Sequence, residues 1–244
     1  MKLSNADIKF LKSLSSKKGR DESGLFVVEG EKMVAEALRS GFEVERVCRA
    51  EEIGPYAMAR ISSLNTPSPV LAVLRQRNAP PTDFAEGLYL ALDSIRDPGN
   101  LGTILRIADW FGIRSVLASE DTVELYNPKV VQASMGAIFR VDFHCCSLKE
   151  TLPRFVSSGG HVYGTFLDGR NIYSRALSLG DTSPDVIVIG NESNGISPDV
   201  AALVTDSLFI PSFPGTVPTS ESLNAAVATA RAVAEFRRRL WERR

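Results

Sequence analysis

The chain has 244 residues, with 28 Lys+Arg against 29 Asp+Glu and 44% hydrophobic residues. That composition excludes a disordered, collagenous or coiled-coil chain, and the length allows one large domain or two small ones, each able to bury a core. The longest apolar runs, about six residues, are too short to span a bilayer, and the first twenty residues lack the apolar stretch of a secretory signal.

Three cysteines, Cys48, Cys145 and Cys146, show no framework spacing, which predicts a reducing, cytoplasmic setting. There is no CxxC or HExxH, and His144 and His161 stand far apart, so no metal is expected.

In chain order, residues 5–20 place Ile8, Leu11 and Leu14 near helical spacing. FVVEG (26–30) predicts a short buried strand. The following helix has Met33, Val34, Ala37 and Leu38 on one side and stops at Gly41. Residues 42–50 alternate as a strand with Val44, Val47 and Cys48 inward, and 69–75 form another. This small α/β unit is expected to end at residue 78, followed by a Pro-rich linker over 79–87. From 88 to 244 strand and helix alternate. Strands are predicted at 88–95, 115–119, 139–143, 161–167, 185–190 and 206–211. Helices are predicted at 100–111, 127–135, 148–158, 197–204 and 221–241. That order predicts a parallel sheet covered on both faces.

The near-neutral total hides two basic ends. Residues 1–20 hold six cationic side chains against Asp7, and residues 231–244 hold six arginines against Glu235 and Glu242. Basic ends on an acidic body suit a polyanion partner, with solvated helix faces as the alternative.

No GxGxxG, GxxxxGK[ST] or GxSxG is present. Three other loops follow predicted strands at the edge where open α/β sheets bind ligands. The first, Arg96–Gly102, turns at Pro98-Gly99 and is followed by a helix that Asn100 or a neighbour caps and that carries Arg106. The second, Gly190–Ile196, sets Glu192 between glycines. The third, long and polar, runs from Ser212 to Asn224 and opens onto the last helix, with Ser220 expected to cap it.

Together these loops resemble the SpoU/TrmH family of RNA ribose methyltransferases, in the SPOUT superfamily. DPGNLGTILRIADWFG (97–112), IVIGNESNGI (187–196) and IPSFPGTVPTSESLNAAVATA (210–230) are similar to the family's three motifs, and NPKVVQASMGAIFRVDF (127–143) is also family-like. The third loop departs from the pattern, with Ser212 after Ile210-Pro211 and extra residues through Ser220. The resemblance implies an α/β fold with a trefoil-knotted parallel-sheet methyltransferase domain over 88–244. It also implies a small ribosomal-protein-like RNA-binding domain over 1–78, and a homodimer.

It further implies methyl transfer from S-adenosylmethionine to a ribose 2′-OH of RNA. rRNA is favoured over tRNA, and a catalytically silent RNA-binding or assembly protein is the other alternative. Arg106 becomes the expected catalytic residue, either as base or as stabiliser of alkoxide charge; a guanidinium that stays protonated favours the latter. Asn100, Glu192, Ser222 and Asn224 are expected to orient it and the ribose. Gly190, Ile210 and Leu223, with Thr165 and Phe166, are the expected cofactor contacts. Lys12, Lys17, Lys18, Arg20 and Arg140 are expected to grip RNA.

Overall fold

A computed structural model describes residues 3–77, 79, 84–173, 183–213 and 222–242. The chain divides into two compact units, residues 1–78 with 124–140, and residues 79–123 with 141–244.

The first unit opens with α1 (Asn5–Ser13), where Ser4 and Asp7 cap one another's backbone N–H reciprocally. A second helix, α2 (Lys17–Ser23), starts at Ser16 and ends at left-handed Gly24. The single helix expected over 5–20 is therefore two. The hydroxyls of Ser13, Ser15 and Ser16 each donate to the carbonyl three residues earlier, which competes with helix continuation. The helices meet closely at Gly19, where a Cβ would lie 2.2 Å from the Ser13 carbonyl oxygen.

Then come β1 (Leu25–Glu29), α3 (Glu31–Arg39), β2 (Val44–Arg49), α4 (Ala50–Ile53), α5 (Pro55–Ile61) and β3 (Val70–Arg75). The strands form an antiparallel sheet in the order β1-β3-β2, and central β3 is buried from Val70 to Leu74. One core gathers Ile8, Leu11, Leu14, Met58 and Ile61 around Leu71, Val73 and Cys48. Another gathers Phe26, Val28, Met33, Val34, Ala37 and Phe42. Leu38, expected inward, is exposed: the apolar stripe of α3 is Met33, Val34 and Ala37. Val44 and Val47 are half-buried and Cys48 is fully buried.

The second unit begins with β4 (Gly87–Leu92), α6 (Pro98–Trp110) and β5 (Ser115–Ala118). The chain then supplies α7 (Pro128–Ser134) and a 3-10 turn, Ala137–Phe139, to the first unit. Val131, Ile138 and Phe139 complete the aromatic core there, with Phe42 and Phe139 rings edge to face at 5.5 Å. The strand expected over 139–143 therefore begins only at Asp142. Met135 and Gly136 take positive φ of 49° and 94°, which turns Ala137–Phe139 inward.

The chain continues with β6 (Asp142–Cys145), α8 (Leu148–Ser157), β7 (Val162–Asn171), β8 (Pro184–Ile189), α9 (Pro198–Ala201), β9 (Asp206–Phe209) and α10 (Ala225–Glu242). The six strands of this unit lie in the order β6-β5-β4-β8-β7-β9, every pair parallel. β8 is buried at all six positions, as burial on both faces requires. No helix among the described residues is long and apolar enough to cross a membrane. The Ser220 cap expected for the last helix lies outside the described residues; the helix starts at Ala225, and Asn224 Oδ1 accepts from the N–H of Ala226 (3.0 Å) and Val227 (3.3 Å).

Candidate active site between the two central strands

Strand order dictates where a site forms. From β4 the chain winds outward through β5 to β6, then crosses to the other side and returns as β8 beside β4. The loops after β4 and β8 diverge at that reversal and leave a crevice at the carboxyl ends of the strands. Leu92 pairs with Ile189, so Asp93 and Gly190 are the first residues past the paired edge.

The first loop is fixed locally. Asp97 caps α6 by accepting from Asn100 N at 2.8 Å, with Pro98 in the first turn. The neighbour, not Asn100, is thus the cap, and the Asn100 side chain is left for other work. The second loop folds back on itself through paired Asn191–Gly195 backbone bonds of 3.0 and 2.9 Å. Gly195 turns at φ +66°, and a Cβ on Gly190 would stand 2.3 Å from Gly195 C. Glycine at 190 is therefore a requirement of the tight return.

The three loops meet. Asn224 Nδ2 donates to Asn100 Oδ1 at 2.8 Å, and Asn100 Nδ2 donates to Glu192 Oε1. The direction of this chain follows from its anchor. Asn224 Oδ1 is occupied by N–H groups of α10, so its amide nitrogen must face Asn100. Asn100 then presents its own nitrogen to the carboxylate. Each residue comes from a different loop, and the polarity runs from a helix N-terminus to an anion.

Ser222 and Leu223, just before Asn224, are exposed. The expected cofactor contacts share the same strand edge. Val188 pairs with Gly164, Thr165 pairs with Leu208, and the Thr165 hydroxyl donates to Val188 O at 3.3 Å. That register sets Gly190 and Ile210 just past the ends of β8 and β9, with Phe166 inside β7 where its pairing to β9 is interrupted after Thr165.

Arg106 is exposed on α6 and makes no hydrogen bond or ion pair with the described residues, so the structure does not bring it into the Asn224–Asn100–Glu192 chain.

The expected RNA contacts fare unequally. Lys12 is exposed, and Lys17 and Lys18 are exposed and pair with Asp21 and Glu22 one turn on. Arg20 does not lie on the surface. It is 1% exposed, bonded to Leu14 O at 2.8 Å and ion-paired with Glu124, because Glu124 belongs to the segment that closes the first unit. Arg140 pairs with Glu36 at 2.5 Å.

The arginines near the chain end are largely engaged within the fold. Arg231 lies against the Tyr173 ring, Arg237 binds the carbonyls of Phe111 and Gly112, and Arg238 and Arg239 hold Glu235. Among the described residues no group of three or more His, Cys, Asp or Glu is placed to hold a metal ion.

Residues 87–233 match the SpoU rRNA Methylase family, and residues 5–80 match the MRM3-like substrate binding domain. The chain belongs to the SpoU rRNA methylase family. It is 28% identical over 246 residues to the 23S rRNA (guanosine(2553)-2′-O)-methyltransferase RlmP of Bacillus subtilis, covering 93% of this chain and 94% of that one. A Porphyromonas gingivalis structure placed in the TrmH family of RNA methyltransferases superposes with a TM-score of 0.87 at 41% identity, covering 97% and 99% of the two chains. An AdoMet-bound rRNA methyltransferase from Sinorhizobium meliloti does so with a TM-score of 0.87 at 27% identity, covering 98% of each.

Proposed function

We propose that this protein transfers the methyl group of S-adenosylmethionine to a ribose 2′-OH of RNA, with rRNA as the RNA. The observation that carries this reading is the oriented chain Asn224–Asn100–Glu192, which joins three separated loops at the carboxyl ends of the central strands. The neighbouring edge suits an adenosine: bare backbone at Gly190, apolar walls from Ile210 and Leu223, and Thr165 and Phe166 alongside. The cofactor, when bound, supplies a methyl group on a cationic sulfur.

The chain's own residues position and polarise. Glu192, with one oxygen held by Asn100, has its second oxygen without a hydrogen bond among the described residues, and this oxygen orients a ribose hydroxyl. Ser222, beside Asn224, adds a hydroxyl at the same helix start. Arg106, charged and unpaired among the described residues, binds a phosphate and stabilises developing negative charge on the 2′-oxygen. Lys12, Lys17 and Lys18 attract the RNA backbone from the first unit, and Arg140 lies on the same unit. The 2′-OH is the feature that separates RNA from DNA for such a site.

The relatives named for rRNA cover nearly the whole chain, including the substrate-binding region, which supports rRNA over tRNA. Exposed Trp110, Val227 and Trp241 on packed helices α6 and α10 support a homodimer. The return of the chain from edge strand β9 to the central crevice at Asn224 supports a trefoil knot. Three unpaired cysteines support a cytoplasmic location. The two functional regions are residues 1–78 together with the 124–140 segment that completes their core, and the rest of 88–244.

The test is transfer of labelled methyl from S-adenosylmethionine to rRNA, with the product sugar mapped. Transfer to a base, or none to any RNA, would overturn the reading.

A further inference from the structure

The loop that carries Asn100 is braced by Ser94, Ser119 and Asp121, which lie outside the three motifs, and by Asn191 of the second. Ser94, two residues after the end of β4, has a left-handed backbone with φ +59°, which is unfavourable for an L-residue and persists only where neighbours impose it. Four polar bonds impose it here. Ser94 N donates to Ser119 Oγ at 2.8 Å, and the Ser94 hydroxyl donates to Asp121 Oδ2. Ser119 Oγ donates to Asp121 Oδ1 at 2.7 Å, and Asn191 Nδ2 donates to Ser94 O at 2.9 Å. Arg96 reaches Asp121 Oδ2 at 3.5 Å, and Val123 N donates to Ile95 O at 2.8 Å.

Each end of this brace touches the site through one or a few bonds. Asn191 is the residue before Glu192, and its Oδ1 also accepts from Ser193 N (2.9 Å) and Asn194 N (3.2 Å), which shapes the turn that holds Glu192. Ser94 precedes by three residues the Asp97 that caps α6 at Asn100. A twist at Ser94 therefore moves Asn100 and Glu192 relative to each other.

We propose that Ser94, Asp121 and Asn191 are positioning residues for the methyl transfer, a brace that sets the register between the Asn100 loop and the Glu192 loop. This rests on the function proposed above. The Ser94 hydroxyl, followed by that of Ser119, also holds the Asp121 carboxyl below its ordinary range, so the brace keeps its anion near neutral pH.

Substitution separates positioning from simple stability. Ser94→Gly accepts the left-handed backbone and keeps both backbone bonds, so the fold survives while the link to Asp121 is lost. Hydrogen exchange of the amides at 97–102 and 190–196, thermal unfolding and single-turnover methyl transfer are measured on the full chain.

Faster exchange in both loops is expected for Ser94→Gly and Asp121→Ala. The transfer rate should fall about ten- to hundredfold, as misplacement of reacting groups predicts, while the melting temperature of Ser94→Gly is unchanged. Ser94→Asn, which tolerates the left-handed region and retains a donor, is expected to restore much of the rate.

Unchanged exchange in both loops overturns the proposal, as does a rate that falls only in step with the folded fraction. If the parent protein itself transfers no methyl group, the functional reading fails, and the exchange data still decide whether the brace couples the two loops.

Discussion

Asn100 does two things that no other side chain of its size can do together: it accepts from Asn224 and donates to Glu192. Asn100→Asp keeps the shape but sets two carboxylates face to face. Transfer should fall about a hundredfold at neutral pH and recover in part as the pH is lowered and the pair takes up a proton; a single-turnover rate measured from pH 8 to 5 checks this. Arg106→Ala is expected to reduce the rate by a similar factor with unchanged cofactor affinity, measured by calorimetry beside the kinetics.

Arg20 is a different kind of residue. Its guanidinium is buried against Glu124, so Glu124→Ala leaves a buried charge without its partner and should cost about 3 kcal/mol in chemical denaturation. Arg20→Met, which removes the charge itself, should cost less. Sequence position alone grouped Arg20 with Lys17 and Lys18 as a surface cation. Only the chain's return at Glu124, 104 residues later, shows why it is inside.

At the scale of elements, local pattern carried far. The central strands of the second unit, β4, β5 and β8, are mostly apolar runs with turn-forming residues after them, and the parallel order of the sheet followed from the alternation with helices. The three site loops were legible because each follows such a strand. What the pattern missed was set by distant packing. Residue 139 read as the start of a strand because Phe139 and Val141 alternate as bulky apolar side chains, yet Phe139 is buried in the core of the first unit. The short helices α4 and α5 carry little periodicity, although Pro55 in the first turn of α5 marks its start. The Ser94 brace was invisible because its members are ordinary loop residues until the fold joins them.

The last helix shows how charge can be structural. Buried Glu235 accepts from Arg238, and then from Arg239, and these bonds hold its pKa down from 4.5 to about 2. A depressed carboxyl stabilises the fold fully above the unfolded value and loses that contribution as pH falls through the folded one. Acid unfolding should thus steepen between pH 4.5 and 2, and Glu235→Gln should flatten that limb in thermal melts taken across the range.

At the scale of the whole molecule, the first unit is assembled from two stretches of chain. The sequence match to a substrate-binding domain ends at residue 80, but the fold recruits 124–140 to cover Phe26 and Phe42. A fragment ending at residue 80 should lack cooperative unfolding and bind hydrophobic dyes, whereas the full chain should not; a thermal scan and dye fluorescence decide it.

The same arrangement bears on biosynthesis. A domain that leaves the ribosome first ordinarily closes first, but here the leading unit stays open until residue 140 has cleared the exit tunnel. By then the β4 and β5 segments have also emerged and can begin to pair. The core of the first unit is therefore expected to stay uncovered during synthesis for longer than a boundary at residue 80 would require.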